Sequence, residues 1–124
     1  TAAQGDNRLW EPYSKDKLDA LRASGTAVFV NATADWCITC LTNEKVTLSR
    51  SDVEDAFKRH HVTYLKADWT HYNAEITELL ARFGRNGVPL YVFFPAGTHS
   101  EPIILPQLLR PSTLIETLDT QPKP

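Results

Sequence analysis

Strand-like and helix-like segments alternate along this sequence, and this alternation constrains its fold more than any other feature. Thr26–Thr33 and Leu90–Phe94 are short apolar runs rich in β-branched and aromatic residues, which is typical of buried strands. Ala74–Phe83 carries its apolar residues at helical spacing. Because strands that alternate with helices of about ten residues favour a sheet covered by helices, the pattern predicts an α/β fold with helices on both faces.

Caps and breakers place the individual segments. Ser14 is a candidate N-cap, Gly25 ends the same helix, and Pro111 suits the first turn of the last helix. The predicted helices are Lys15–Ala23, Cys37 to about Leu48, Asp52–His60 after a Ser51 cap, Ala74–Phe83 and Pro111–Leu118. The predicted strands are a short edge strand at Leu9–Tyr13, then Thr26–Thr33, Val62–Ala67, Leu90–Phe94 and Pro102–Leu105.

Length and charge narrow the class of protein. The chain has 124 residues, enough for one domain with a buried core; we expect that domain at 8–119, a linker or trimmed terminus at 1–7 and a flexible tail at 120–124. The 13 Lys and Arg against 15 Asp and Glu give a net charge of −2, which argues against a nucleic-acid-binding protein. The apolar runs are far shorter than the roughly 18 residues of a membrane span. Because methionine is absent, we expect a processed product or a piece of a longer chain.

Cys37 and Cys40 are the two cysteines, and they stand where a predicted strand ends and a predicted helix begins. Unpaired backbone N–H groups and the positive end of the helix dipole favour a thiolate there. Since only the thiolate is a nucleophile, a lowered pKa of Cys37 would raise its reactive fraction near neutral pH. Cys40 lies one turn further on, where it can attack a mixed disulfide on Cys37. The spacing therefore predicts that Cys37 attacks and Cys40 resolves.

Three other interpretations of this cysteine pair stay open. A zinc site would need two further ligands from the four histidines, none of which has clear ligand spacing. A structural disulfide would close a four-residue loop that stabilises the fold by only roughly 2 kcal/mol, and ordinary core thiols are also conceivable. A Cys-x-x-Cys in a strand–helix pattern favours redox chemistry, so we expect no metal. The histidines, expected at the surface, are His60, His61, His71 and His99.

Two motifs resemble those of the thioredoxin family. Ala34–Cys40 (ADWCITC) resembles its alanine–acid–Trp–Cys-x-x-Cys run, and Gly87–Leu90 (GVPL), about 50 residues on, resembles its glycine–aliphatic–cis-proline segment. The resemblance extends from about Leu9 to Leu118 and implies a thioredoxin-like fold: a central mixed sheet of four to five strands flanked by helices on both faces. It implies no cofactor, and the sequence has no glycine-rich nucleotide loop.

Within that family, the sequence is most similar to the periplasmic C-terminal domains of the DsbD family. The likeness lies in Ala-Asp-Trp-Cys, in Glu44, and in the segments Lys66–Thr70, Arg82–Gly84 and Gly87–Tyr91. It implies a periplasmic domain of an inner-membrane protein, monomeric when isolated. Such a domain takes electrons from a transmembrane domain of the same or a partner protein and reduces oxidised periplasmic thiol proteins. An oxidase or isomerase, and a redox-inactive interaction module, are the alternatives.

One position departs from the family pattern. Six residues before the first cysteine the family usually has a buried aspartate, thought to assist proton transfer, whereas this chain has Asn31. An amide can bind a thiol but cannot accept a proton near neutral pH, so Glu44, four residues after Cys40, is the remaining candidate acid/base. A satisfied core amide and an exposed helix carboxylate are the plainer alternatives. We expect a lower pKa for Cys37 than an aspartate at position 31 would give.

The resemblance also implies a substrate groove beside the cysteines. Pro89 is expected in cis, a form found in about 5–6% of X–Pro bonds, and Val88 would pair its backbone with an extended partner segment. Trp36 is expected as a half-exposed aromatic surface for partners. A plain trans turn at Pro89 and core packing of Trp36 are the alternatives, and core positions are expected for Trp10 and Trp69.

Overall fold

A five-stranded mixed sheet forms the centre of the computed structural model, which describes residues 10–98 and 100–120. The strand order is β1-β3-β2-β4-β5. β1 and β2 run parallel to β3, whereas β4 runs antiparallel to both β2 and β5. The predicted sheet is therefore confirmed. Its strands are β1 (Trp10–Pro12), β2 (Val28–Thr33), β3 (Thr63–Asp68), β4 (Leu90–Phe94) and β5 (Ile103–Leu105).

Five helices cover both faces of this sheet, as the sequence predicts. Leu18 and Leu80 belong to the core on one face together with Val30, whereas Phe57 and Leu114 belong to the core on the other face. Side chains of a strand alternate between the two faces, so the apolar strands supply both cores. The helices are α1 (Lys15–Ala23), α2 (Ile38–Asn43), α3 (Ser51–Arg59), α4 (Ala74–Arg82) and α5 (Pro111–Asp119).

The helix beginnings confirm one predicted cap and correct another. Ser14 Oγ accepts the Lys17 N–H at 3.0 Å, as a helix N-cap does. Ser51, predicted as the cap of α3, is instead its first residue, and Arg50 is the N-cap without a side-chain cap bond. The Arg50 guanidinium instead pairs with the Asp52 carboxylate in the first turn at 2.9 Å, a local contact that residue-type preference at the N-cap does not include.

The predicted helix from Cys37 to about Leu48 is divided in the structure. Cys37 is the N-cap of α2, and α2 continues into a π-helical turn, Glu44–Leu48. Two buried side chains on this segment reach the same distant loop: Asn43 donates to Gln107 O at 2.7 Å and Thr47 to Leu109 O at 2.6 Å. These bonds accompany the π-helical turn. The local sequence pattern gives no sign of them, because their partners are more than 60 residues away.

The remaining element bounds agree with the predicted ones to within two residues. The predicted linker at 1–7 and residues 121–124 of the predicted tail lie outside the described residues, as does Leu9 of the predicted edge strand. No helix in the described part of the chain is long and apolar enough to cross a membrane.

Candidate active site

Cys37 and Cys40 form a disulfide at the N-terminus of α2, with their Cα atoms 5.2 Å apart. The Sγ of Cys37 accepts the backbone N–H of Cys40 at 3.2 Å. It is thus the acceptor for one of the amides that the first helical turn leaves unpaired, and such a donor stabilises a thiolate after reduction. Cys37 is 9% exposed and Cys40 is fully buried, so a partner can reach Cys37 more easily.

The loop before β4 closes the other side of the cysteine pair. Val88 packs against Ala34, Cys37 and Cys40. The peptide bond between Val88 and Pro89 is cis, as the resemblance implies, and Pro89 is buried. The structure therefore brings Val88 to the cysteines, and the cis bond joins it to the buried Pro89.

Trp36 flanks the disulfide and is 50% exposed, which confirms the expected half-exposed position. Its indole N–H donates to the Thr70 carbonyl at 3.0 Å, and the Asp35 N–H donates to Thr70 Oγ1 at 2.9 Å. Thr70 in turn donates its backbone N–H and its hydroxyl to Asp68 Oδ1. Thr70, just after β3, thus fixes the turn that carries Trp36, and sequence reasoning did not single it out.

Two further aromatic rings adjoin Trp36. The Trp69 ring centroid lies 6.0 Å from that of Trp36, and the Tyr72 centroid lies 5.8 Å from Trp36 and 4.8 Å from Trp69. Trp69 is buried, as expected, whereas Tyr72 is exposed. The signal for this contact was present in the sequence, because Ala67-Asp68-Trp69 repeats the Ala34-Asp35-Trp36 that ends the neighbouring strand.

Asn31 is fully buried in β2 and only partly satisfied. Its Nδ2 donates to the Tyr64 hydroxyl at 2.9 Å and lies 3.4 Å from Glu44 Oε2. Its Oδ1 is buried without a hydrogen-bond partner, as is Thr33 Oγ1 on the same strand. Buried polar atoms are seldom left unpaired, yet the side chain of Asn31 has one paired and one unpaired end in the described part of the chain.

Glu44 is a partly buried member of an ion pair rather than an exposed helix carboxylate. Its Oε1 lies 3.7 Å from Lys66 Nζ, and the two side chains are 22% and 24% exposed. The Lys66 ammonium also lies 4.8 Å from the centre of the Trp10 ring. The structure therefore joins Asn31 and Glu44, the two predicted polar site residues, and adds Lys66.

Tyrosine hydroxyls next to this group remain protonated at neutral pH. Burial raises the pKa of Tyr64 well above its ordinary range, and the hydrogen bond from Asn31 offsets this only in part. Burial likewise raises the pKa of Tyr91 to about 12. Strand register could have indicated Tyr64 and Lys66, because Asn31 lies opposite Lys66 between β2 and β3.

Comparison with known proteins assigns the chain to a family. A family model described as thioredoxin-like matches residues 9–96. The chain belongs to the thioredoxin-like family. The chain is 32% identical to the thiol:disulfide interchange protein DsbD of Ralstonia nicotianae over 103 residues, which are 83% of its length. It is 39% identical to the DsbD of Pseudomonas fluorescens over 72 residues, which are 58% of its length. These matches span only 17% and 12% of the two relatives.

Solved structures agree with the fold of this thioredoxin-like chain. The reduced C-terminal domain of Neisseria meningitidis DsbD matches with a TM-score of 0.66 at 24% identity, covering 85% of this chain and 90% of that domain. Its oxidised form matches with a TM-score of 0.68 at 21% identity, covering 87% and 96%. The thioredoxin-like chain carries a Cys37–Cys40 disulfide and is similar in sequence to part of the thiol:disulfide interchange protein DsbD.

The three histidines that the structure describes do not contact the cysteines. His60 Nε2 lies 2.7 Å from Asp119 Oδ1, and His61 and His71 are exposed, whereas His99 lies outside the described residues. Within residues 10–98 and 100–120, no group of three or more His, Cys, Asp or Glu side chains could hold a metal ion.

Proposed function

We propose that this chain passes electrons from a membrane electron transporter, in the same or a partner protein, to oxidised periplasmic proteins. The observation that carries the proposal is the cysteine pair at a helix N-terminus, in which Cys37 keeps a 9% exposed edge and Cys40 is fully buried. Similarity to thiol:disulfide interchange proteins supports thiol–disulfide exchange as the activity. The site of action is then the periplasm, with the chain as a domain of an inner-membrane protein.

The reaction is a two-step thiol–disulfide exchange. The reduced Cys37 thiolate attacks one sulfur of the acceptor disulfide, forming a mixed disulfide and releasing the first acceptor thiolate. Cys40 then loses its proton and attacks Cys37 Sγ, which closes the Cys37–Cys40 disulfide and releases the second acceptor thiolate. Two electrons pass to the acceptor, and the two protons released by the cysteines can be taken up by its thiolates.

Val88, Pro89 and Trp36 supply the binding surface in this proposal. An extended acceptor segment would pair with the Val88 backbone in the manner of an added strand while its disulfide faces Cys37. Packing of Val88 against both cysteines supports this geometry. The exposed face of Trp36 then provides apolar contact on the opposite side of Cys37.

Cysteine variants test the function. The dithiol form should reduce a disulfide-bonded protein such as insulin, and Cys37→Ser should abolish that activity. Cys40→Ser should attack but not resolve, so a mixed disulfide with the substrate should accumulate on non-reducing gels. A reduced wild-type chain that reduces no protein disulfide would overturn the proposal in favour of a redox-inactive module.

A vesicle experiment tests the electron source. A DsbD-type transmembrane domain is placed in vesicles that hold reduced thioredoxin inside, and the oxidised chain is added outside. Alkylation of thiols should then show Cys37 and Cys40 becoming reduced, whereas vesicles without the transporter should leave the disulfide intact. Equal reduction in both preparations would contradict the assigned donor.

A further inference from the structure

An exposed aromatic pair and an unpaired carboxylate lie beside Cys37. Trp36 and Tyr72 are 50% and 66% exposed, and their ring centroids are 5.8 Å apart. Asp35 is exposed, and its carboxylate makes no hydrogen bond or ion pair with the described residues. We call Asp35, Trp36 and Tyr72 the docking face.

The docking face is held in place by the segment that follows β3. Thr70 binds both the backbone of Asp35 and the indole N–H of Trp36. Tyr72 has a φ of +56°, a left-handed conformation that disfavours a bulky side chain, and its N–H donates to Trp69 O at 3.0 Å. An exposed ring kept in an unfavourable backbone conformation indicates a surface with a use beyond packing.

A second carboxylate, that of Asp68, is bound to the Thr70 segment that holds this face. Burial raises the pKa of Asp68, but the hydrogen bonds from Thr70 outweigh that effect and hold it below its usual range. The exposed His71 opposes part of that charge, and Lys66 is already paired with a carboxylate of the π-helical turn. The carboxylate of Asp35 therefore has no partner among the described residues, and Asp35 directly precedes Trp36, whose ring adjoins that of Tyr72. Aromatic rings attract cations through their faces.

We propose that the docking face binds an arginine or lysine side chain that a partner protein carries close to its reactive cysteine. Because Trp36 precedes Cys37 directly, the basic residue lies within about one to three positions of the partner's cysteine in an extended segment. The inference rests on thiol–disulfide exchange at Cys37 and specifies which acceptors react fastest.

Matched peptides test this preference. Three peptides, identical except for Arg, Gln or Glu two positions from one cysteine, carry thionitrobenzoate in a mixed disulfide. The Cys37 thiolate attacks the peptide sulfur and releases thionitrobenzoate, and Cys40 then displaces the peptide thiolate, so the protein dithiol is oxidised and the mixed disulfide is reduced to two thiols. Release of thionitrobenzoate gives the rate of the first step by absorbance.

The reduced wild-type chain should react about five- to tenfold faster with the Arg peptide than with the Glu peptide at low salt. The ratio should fall towards one as added salt screens the charges. Asp35→Asn and Tyr72→Leu should each lower it, whereas Asp55→Asn, an exposed carboxylate on α3, should not. A ratio is the decisive quantity because a change in the reactivity of Cys37 alters all three rates alike.

Each contrary outcome has a separate meaning. Equal rates with the three peptides, or an unchanged ratio in Asp35→Asn, would overturn the docking proposal while leaving the exchange function in place. No reaction with any peptide or with cystine would overturn the proposed function itself. A dimer in sedimentation experiments that Tyr72→Leu dissociates would assign the face to a second copy of the chain and overturn the proposed occupant.

Discussion

Asn31 places a neutral amide in β2 six residues before Cys37, and its contact with Glu44 makes it sensitive to charge. Glu44 Oε2 lies 3.4 Å from Asn31 Nδ2, so Asn31→Asp would place a second carboxylate directly beside that of Glu44. A nearby negative charge disfavours a thiolate, so we expect the pKa of Cys37 to rise by on the order of one unit. The ultraviolet absorbance of the thiolate, followed against pH, measures this.

The matched control for that substitution is Asn73→Asp. Asn73 caps α4 through its side-chain oxygen, and aspartate serves equally well at an N-cap. The control should leave the pKa of Cys37 unchanged because its charge is exposed to solvent. An unchanged or lower pKa in Asn31→Asp would show that residue 31 does not act on Cys37 through charge.

The carboxylate of Glu44 contacts Asn31 and lies one helical turn after Cys40. Glu44→Gln keeps the shape of the side chain but removes its ability to accept a proton from the resolving cysteine. We expect resolution of the mixed disulfide to slow by at least about tenfold, while the first attack by Cys37 changes less. Stopped-flow decay of a mixed disulfide measures the second step.

Glu116→Gln, an exposed carboxylate on α5, is the control for Glu44. It should leave both steps unchanged. Equal resolution rates in Glu44→Gln and the wild type would show that Glu44 is not the acid/base residue. Glu44 would then serve only in its ion pair with Lys66.

The π-helical turn after α2 depends on contacts with a loop more than 60 residues away. Thr47→Val removes the hydroxyl that donates to Leu109 O at 2.6 Å and leaves that carbonyl unpaired in a buried place. We expect the free energy of unfolding to fall by about 1–3 kcal/mol. The control is Thr42→Val, at an exposed position on α2, which should change the free energy of unfolding by less than about 0.5 kcal/mol. Urea denaturation measures both variants, and equal losses would contradict a stabilising role for the bond from Thr47 to Leu109 O.

The elements themselves could largely be predicted because their signals are local. Apolar runs defined β2 and β4, and the helical spacing of Ile76, Leu79 and Leu80 defined α4. The division of the predicted helix into α2 and a π-helical turn could not be predicted, since Thr47 on that turn binds Leu109, which is distant in the sequence. The Ser51 cap was wrong because residue type favours serine at an N-cap, whereas in the structure Ser51 is the first helical residue and Arg50 is the N-cap.

At the scale of the whole molecule, strand order assembles the site. Because β2 and β3 are parallel, their C-terminal ends lie together, and the antiparallel β4 begins at the same edge of the sheet. The turn with Trp36, the Thr70 segment and the Val88–Pro89 loop therefore meet around the cysteines. Motifs could predict Cys37, Cys40, Trp36 and Pro89, but Tyr64, Lys66 and Tyr72 follow only once the neighbouring strands are in register.

The reduction potential of the Cys37–Cys40 pair tests the central claim most directly. Thiol redox buffers set the potential, and tryptophan fluorescence reports the state because Trp36 adjoins Cys37; Cys37→Ser should give no transition. Thioredoxin lies near about −270 mV, protein disulfide isomerase near −180 mV and a strong disulfide oxidase near −120 mV. We expect a value below about −200 mV, which would support electron donation. A value near the −120 mV of that oxidase would contradict donation and indicate an oxidase with the same fold.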